Sequence, residues 1–556
     1  MTKSGEQPTQ RYGEYDYIII GAGSAGCLLA NRLSADPASR VLLLEAGGND
    51  NYFWIHIPVG YLYTINNPRT DWCYRTEPDP GLNGRSIGYA RGKVLGGCSS
   101  INAMIYMRGQ QRDYDHWVEL GNPGWSWQEV LPYFMRVEDY VHGANKWHGT
   151  GGELRVEERR VSWEILDSWR EAAEECGIPK IDEFNRGDNF GSAYFQMNQR
   201  RGVRWSNTKA FLRPVQHRPN LEIVTGAHVA RLLIDLDAHA KQARGVEFLH
   251  RDQRLQAIAR REVILSAGAI GTPQILELSG IGNADHLNKL GIPVVQDLRG
   301  VGENLQDHLQ IRMMYKVHGV STLNQKANSW AGKLAMGIEY ALFRTGPLTQ
   351  PPSQLGAFAR SNPGESTPNI EWHVQPLSLD KFGEPLHPFP AITPSVCNLR
   401  PSSRGSVHIA SRDYSDYPEI RLNYLSTDED RRVAIESMRF TRRIMSAGAL
   451  AKYQPEEFRP GIRAESDEQL IRAAGDLGTT IFHPVGTCKM GRDAMAVVDS
   501  QLRVHGVQSL RVIDASVMPT ITSGNTNAPA TMIAEKGAEM VLQAAIELKQ
   551  GTGKYR

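Results

Sequence analysis

The residues able to do chemistry gather in a few short stretches. Near the N-terminus, Gly21, Gly23 and Gly26 stand in the run Gly-Ala-Gly-Ser-Ala-Gly, directly after Tyr17-Ile18-Ile19-Ile20. That spacing suits the pyrophosphate of a dinucleotide. Gly21 allows a tight turn, Gly23 lets the backbone approach the phosphates, and Gly26 permits close packing of helix on strand. Ser24 and Ala25 then open a helix whose amides and positive end favour phosphate. Glu45, followed by Ala46, ends the next apolar run and stands where an acid accepts hydrogen bonds from the adenosine ribose hydroxyls. A second glycine-rich stretch includes Arg91, Gly92, Val94, Gly97, Cys98, Ile101 and Asn102, and continues through Ala103, Met104 and Ile105 to Gly109. Alone it could be a surface loop. Following a nucleotide unit, it suggests backbone held against a flat, polar ring system.

These residues need elements to hold them. Tyr17–Ile20 and Val41–Leu44 read as buried parallel strands, with a helix from Cys27 to Leu33 between them. Leu221–Val224 and Val263–Ser266 read as further strands running into glycine turns. Pro273 to Leu278 reads as a short helix with Pro273 at a tolerated early position. Leu510–Ile513 reads as a strand ending at Asp514-Ala515. A polar turn, Thr522 to Asn527, leads into an amphipathic helix through Met532, Ile533, Met540 and Val541, with Asn527 near its N-cap. The glycine unit alone does not separate FAD from NAD.

Composition narrows the classes. The chain has 556 residues, 62 basic and 61 acidic, for a formal net charge of +1. That balance argues against nucleic acid, or an acidic membrane, recognised by bulk charge. Hydrophobic residues at 41% and charged ones at 22% fit a globular chain, and the length predicts two or three domains. Six cysteines without a C-x-x-C pair exclude a zinc ribbon and argue against a disulfide scaffold; no metal is expected. Met1 to Asp16 is polar, with no signal-like apolar core, and no run of 18 apolar residues predicts a membrane span. A cytoplasmic location is expected, with peripheral docking at the inner membrane left open.

The N-terminal unit, the Gly-Lys-Val-Leu-Gly-Gly-Cys-Ser-Ser-Ile-Asn stretch, Gly268–Pro273 running into Leu278–Gly282, and His483-Pro484-Val485-Gly486-Thr487-Cys488 occur here in one order. In that order the chain resembles the glucose–methanol–choline (GMC) flavin-dependent oxidoreductases, from about Tyr15 to Leu548, and within them the bacterial alcohol- and choline-dehydrogenase-like branch. The resemblance implies an α/β fold: a Rossmann-like FAD-binding domain formed by 1–155, 226–316 and 475–556, interleaved with an antiparallel-sheet α+β substrate domain formed by 156–225 and 317–474. It places Val229 at the adenine, Ala267 and Gly268 beside the dinucleotide, Asn527 next to the flavin ring, and Asp514, Ala515 and Thr526 among the cofactor-binding residues. The Val301–His308 stretch is expected to be structural. Some relatives attach FAD through a histidine in the second glycine loop. Ile101 occupies the matching position here, so non-covalent FAD is expected.

Sixteen histidines make a lone one uninformative, but His483 sits in the family's catalytic signature. The resemblance makes it the general base near its ordinary pKa. Asn525 is assigned to orient the forming alkoxide, and Asn527 is the competing assignment. A primary alcohol is thereby expected to become an aldehyde, passing hydride to flavin N5 and electrons onward to a quinone, a cytochrome or O2 rather than to NAD. An oxidase would share every motif. A flavin-containing lyase and a non-catalytic flavin binder are the remaining readings.

Several features are set aside. Gly84-Arg85-Ser86-Ile87-Gly88 matches a hydrolase elbow but lacks the strand and helix that motif needs. The aromatic segment Tyr52–Ile55, with Tyr61 and Tyr63, could be a lid or plain packing. Lys333 to Phe343 is expected to be a core helix, membrane-surface docking being the alternative. Glu371-Trp372-His373 lies in the expected substrate domain without a stated orientation.

Overall fold

The structure is a computed structural model that describes residues 10–236, 240–351, 353–381 and 383–553. The β-branched run at Tyr17–Ile20 ends an eleven-residue strand, Gln10–Ile20, whose last six residues are buried. It lies between Val41–Glu45 and Gln253–Leu265, parallel to both, and Leu221–Thr225 adds a further parallel strand beyond Val41–Glu45. Gln253–Leu265 forks: its first half pairs antiparallel with Gln242–His250, and its second half pairs parallel with Leu510–Val512. Both faces are covered, so the central strands tolerate near-continuous apolar sequence. The helices Ser24–Leu33 and Asn527–Gly553 pack together over one face.

A second, antiparallel sheet roofs the first. Its strands run in the order Glu456–Arg459, Met314–Lys316, Ala391–Asn398, Ile370–Gln375, Leu355–Ala359 and Gly191–Tyr194. Leu309–Arg312 pairs with both Ala391–Asn398 and Gly478–Thr480. Each sheet has its own hydrophobic core, with Leu28, Ile264 and Val512 in one and Trp169, Trp372 and Val396 in the other. The α/β architecture with an interleaved roof is as expected, but individual strands cross the anticipated limits. Leu221–Thr225 belongs to the nucleotide sheet, whereas Leu309–Arg312 and Gly478–Thr480 belong to the roof. Such short strands carry no sequence signal for which sheet they join, because pairing partners far along the chain decide it.

Two local expectations change. The helix after Ala267 spans Gly268–Leu278, so Pro273 lies in its interior rather than its first turn. Proline cannot donate to the carbonyl four residues back, here Ala269 O. That carbonyl instead accepts from the Thr487 hydroxyl at 2.7 Å, which ties the helix to the His483 segment. The segment expected to be a core helix forms Trp330–Phe343, but only Met336 and Tyr340 are buried. Its apolar residues surround the axis, so the sequence could not show which face would pack, and one face stays in solvent. Each large side chain left out forgoes about 1.5–3 kcal/mol of burial. Among the described residues, no helix is long and apolar enough to cross a membrane. The Gly84–Gly88 stretch forms no elbow: Ser86 Oγ donates to Thr76 O at 2.6 Å.

Candidate active site

Between the two sheets runs one continuous cavity. At one end, Gly21 has φ +96° and donates to Leu44 O at 2.8 Å, turning the chain into the first helix. A Cβ on Gly26 would stand 1.9 Å from Gly21 O, so helix and turn touch through bare backbone. A Cβ on Gly97 would come 2.7 Å from Gly23 Cα, which brings the two glycine stretches into contact. Glu45 accepts from Ala22 N at 2.9 Å and Gly47 N at 2.8 Å. Burial pushes its carboxyl up to about 7 against those hydrogen bonds.

The first turn and helix contribute Gly21, Gly23, Ser24 and Ala25 to the lining, and the following strand end contributes Glu45 and Ala46. The second glycine stretch contributes Arg91, Gly92, Gly97, Asn102, Ala103, Met104 and Ile105. Val229, Ala267, Gly268, Asp514, Ala515, Thr526 and Asn527 complete the expected set. Two residues do not line it. Gly26 is consumed in helix packing, and Val94 is buried in a small cluster with Ile55 and Ile101. Sequence reasoning missed the aromatic corner beside Val229. There His228 packs against Trp72 and Tyr414 at ring separations of 5.4 and 4.9 Å.

At the other end stand His483, 7% exposed, and the 522–527 turn. Asp113 fixes that turn by accepting from Ser523 N and Ser523 Oγ, both at 2.7 Å. Asn525 Nδ2 donates to His483 Nε2 at 3.1 Å. Asn527, at the start of the last helix, instead accepts from Ser24 Oγ at 2.7 Å. The geometry therefore sets Asn525, and not Asn527, against the imidazole.

The Val301–His308 stretch, expected to be structural, hydrogen-bonds directly to His483. Asp307 Oδ1 accepts from His483 N at 2.7 Å, and Asp307 Oδ2 accepts from the Tyr424 and Thr480 hydroxyls. His308 Nδ1 faces His483 Nδ1 at 3.0 Å, and His308 Nε2 faces Leu399 O at 3.0 Å. The protons follow from what each partner can do. A carbonyl only accepts, so Nε2 of His308 carries the hydrogen. Burial holds His308 below its ordinary pKa and therefore neutral, leaving its Nδ1 an acceptor. His483 must then donate from Nδ1, which leaves its Nε2 lone pair facing Asn525 and the cavity.

Burial, with His308, His373 and Arg91 nearby, drives His483 well below its ordinary pKa. The expectation of an unperturbed imidazole is corrected: desolvation disfavours the charged form, and the neighbouring groups disfavour it further. From the roof, His373 also reaches the cavity, stacked on Phe195 at 5.2 Å and pushed down to about 4 by burial. Its neighbour Glu371 is buried, with its carboxyl pushed well up by desolvation. Of the aromatic segment, Tyr61 and Ile65 line the cavity while Phe53 and Tyr63 point outward.

The residues present fit a flavin dinucleotide. The glycine turn offers bare backbone beside a helix N-terminus, and space lies open where a Cβ on Gly268 would meet nothing within 4 Å. Thr526, Asn527 and Ala530 bring the positive end of the last helix to the cavity near His483. Asn525 Oδ1 and His373 Nδ1 are buried without a formed hydrogen bond, which leaves polar capacity for a hydroxyl.

The chain is similar to several known proteins. A Pseudomonas putida protein named alcohol dehydrogenase [acceptor] is 40% identical over 533 residues, covering 95% of this chain and 96% of its own. Human mitochondrial choline dehydrogenase is 41% identical over 540 residues, covering 95% and 90%. The crystal structure of pyridoxine 4-oxidase from Mesorbium loti superposes with a TM-score of 0.85 at 33% identity, covering 94% of this chain and 98% of its own. The N-terminal model of the GMC oxidoreductases matches residues 15–310 and the C-terminal model residues 401–534. With both models matched in order around one cavity, the chain belongs to the GMC oxidoreductase family.

Proposed function

We propose that the protein oxidises a primary alcohol to the aldehyde with non-covalently bound FAD, and passes the electrons to an acceptor other than NAD. The observation that carries this reading is the contact between Asn525 Nδ2 and His483 Nε2 in the cavity that the glycine turns also line. FAD bound along the glycine turns would accept the two electrons and the carbinol hydrogen as hydride. His483 takes the hydroxyl proton on Nε2, the nitrogen that the His308–Leu399 chain leaves without a proton and that accepts from Asn525. Asn525 donates to the substrate oxygen as negative charge develops there, and the helix end at Thr526–Asn527 favours negative charge in the adjoining space. Ile101 lines the cavity where some relatives carry the attaching histidine, and an isoleucine side chain offers no atom for a covalent link.

The nucleotide sheet with its covering helices forms the FAD domain in this reading, and the second sheet forms the substrate roof. His373, Gln310 and Gln375 lie on the roof side of the cavity. Names among the relatives include both dehydrogenases and an oxidase. The test is to mix purified yellow enzyme anaerobically with 1-alkanols, benzyl alcohol, choline and a polyether alcohol. Flavin bleaching by at least one of them supports the reading, and bleaching by none contradicts it. Turnover in air then separates the acceptors: dye reduction without peroxide marks a dehydrogenase, and stoichiometric peroxide marks an oxidase. Acid precipitation should leave the flavin in the supernatant.

A further inference from the structure

The helix Trp330–Phe343 carries Trp330, Leu334, Ile338 and Leu342 at intervals of four residues, so they form one stripe along its outer side. Their exposures are 79, 49, 50 and 69%, and Phe343 beside them is 67% exposed. The inner side is seated on the body of the protein, with Met336 buried and Tyr340 donating to Gly202 O at 3.1 Å. Scattered exposed apolar residues are ordinary, but a contiguous row of this size marks a surface that something else covers.

The charges around the stripe indicate what that is. Over residues 323–344 the basic side chains are Lys326, Lys333 and Arg344, against the single acid Glu339. Glu339 is turned onto its own segment, accepting from the Thr345 hydroxyl at 3.1 Å. At the helix C-terminal end, Arg160 donates to Arg344 O at 2.8 Å, and Arg201 precedes the Gly202 that supports Tyr340. A net charge of +1 for the whole chain conceals this local rim. Tryptophan and leucine on one side with lysine and arginine at the borders is the composition of a helix lying in a lipid interface.

Position adds a second argument. The chain leaving the helix leads directly to Pro351 and Ser353, which line the cavity. Its turn Pro347–Thr349 packs on the turn Pro58–Gly60. That neighbouring segment exposes Phe53 at 55% and Tyr63 at 52% while lining the cavity with Tyr61 and Ile65. The same two segments thus form the apolar surface and part of the cavity wall.

We infer that this stripe docks the enzyme on an anionic phospholipid bilayer, with the cavity wall formed by Tyr61, Ile65 and Pro351 on the lipid side. Docking is independent of the reaction; only its benefit, access to an alcohol dissolved in lipid, rests on the proposed oxidation. The test is cosedimentation of purified holoenzyme with vesicles of phosphatidylethanolamine and phosphatidylglycerol, beside vesicles of phosphatidylcholine alone. The wild type should sediment with the anionic vesicles, less so at high salt and at least tenfold less with phosphatidylcholine. The variant Trp330→Ser, Leu334→Gln, Ile338→Gln, Leu342→Gln should stay in the supernatant. It should keep its flavin and its dye-coupled turnover of a short, water-soluble alcohol, which separates a failure of docking from a failure of the oxidation reading. Wild-type enzyme that ignores anionic vesicles, or a variant that sediments equally well, would overturn the inference. So would a wild-type dimer that the same substitutions dissociate without any vesicle binding, which would assign the stripe to a second copy.

Discussion

His308 Nδ1 stands 3.0 Å from His483 Nδ1, and its other ring nitrogen stands 3.0 Å from Leu399 O. A backbone carbonyl in the roof thereby dictates, through two imidazoles, which nitrogen of His483 is without a proton. His308→Leu removes the acceptor and allows the wrong tautomer. Flavin reduction by alcohol should slow by about 10–100-fold with flavin still bound, the range expected when a base is misdirected rather than deleted. His308→Gln, able to accept from His483 and donate to Leu399, should recover much of the rate. Equal losses in both variants would reduce His308 to a packing residue.

The pH dependence follows from burial. His483 lies well below its ordinary pKa of 6.5, so its base form persists on acidification through that value. Anaerobic reduction rates measured from pH 5.5 to pH 8 (roughly one unit either side of the ordinary imidazole range) should show no acid limb centred at 6.5 or higher that disappears in His483→Ala. Such a limb would mean that solvent or the bound flavin stabilises the imidazolium.

Gly26 and Gly48 make a matched pair. A Cβ on Gly26 would lie 1.9 Å from Gly21 O, whereas one on Gly48 would meet nothing within 4 Å. Gly26→Ala should yield protein with little or no bound flavin, because neither backbone can yield without opening the turn. Gly48→Ala should remain fully yellow. The ratio of visible to ultraviolet absorbance decides it.

This contrast also shows what the sequence could reveal. Part of the local chemistry was legible: the Gly21–Gly26 spacing and Glu45 are set by short stretches whose backbone demands are written in the residue types, whereas His483 and Asn525 were reached only through the family resemblance. His308 was not legible, because its role depends on a carbonyl 91 positions away that only the folded roof delivers. The Trp330–Phe343 helix failed for a different reason. Hydropathy records how apolar a segment is, not whether anything covers it. The roof residues His373 and Glu371 were named without an orientation, since alternation along a strand fixes two faces but not which one meets the cavity.

Away from the cavity, His408 lies 2.7 Å from Glu277 and 3.1 Å from Glu303. Burial opposes its charge, but the two carboxylates outweigh it and raise the imidazole to about 9. Because the folded pKa is the higher one, this stabilisation is complete below pH 6.5 and is lost as pH rises through about 9. Its upper bound is on the order of 3 kcal/mol, reduced by the partial exposure of the group. The melting temperature of the holoenzyme should fall between neutral pH and pH 10 (roughly one unit past the folded pKa), and His408→Gln should flatten that fall. A parallel curve for the variant would remove the triad from the account.

The central claim is that His483 takes the proton from an alcohol held beside a bound flavin. The most direct measurement is rapid anaerobic mixing of wild type and His483→Ala, each loaded with FAD, with an alcohol that reduces the wild type. Loss of the base should slow bleaching by about 10^2–10^4-fold while the visible spectrum and flavin content stay unchanged. Bleaching of the variant at close to the wild-type rate would contradict the account.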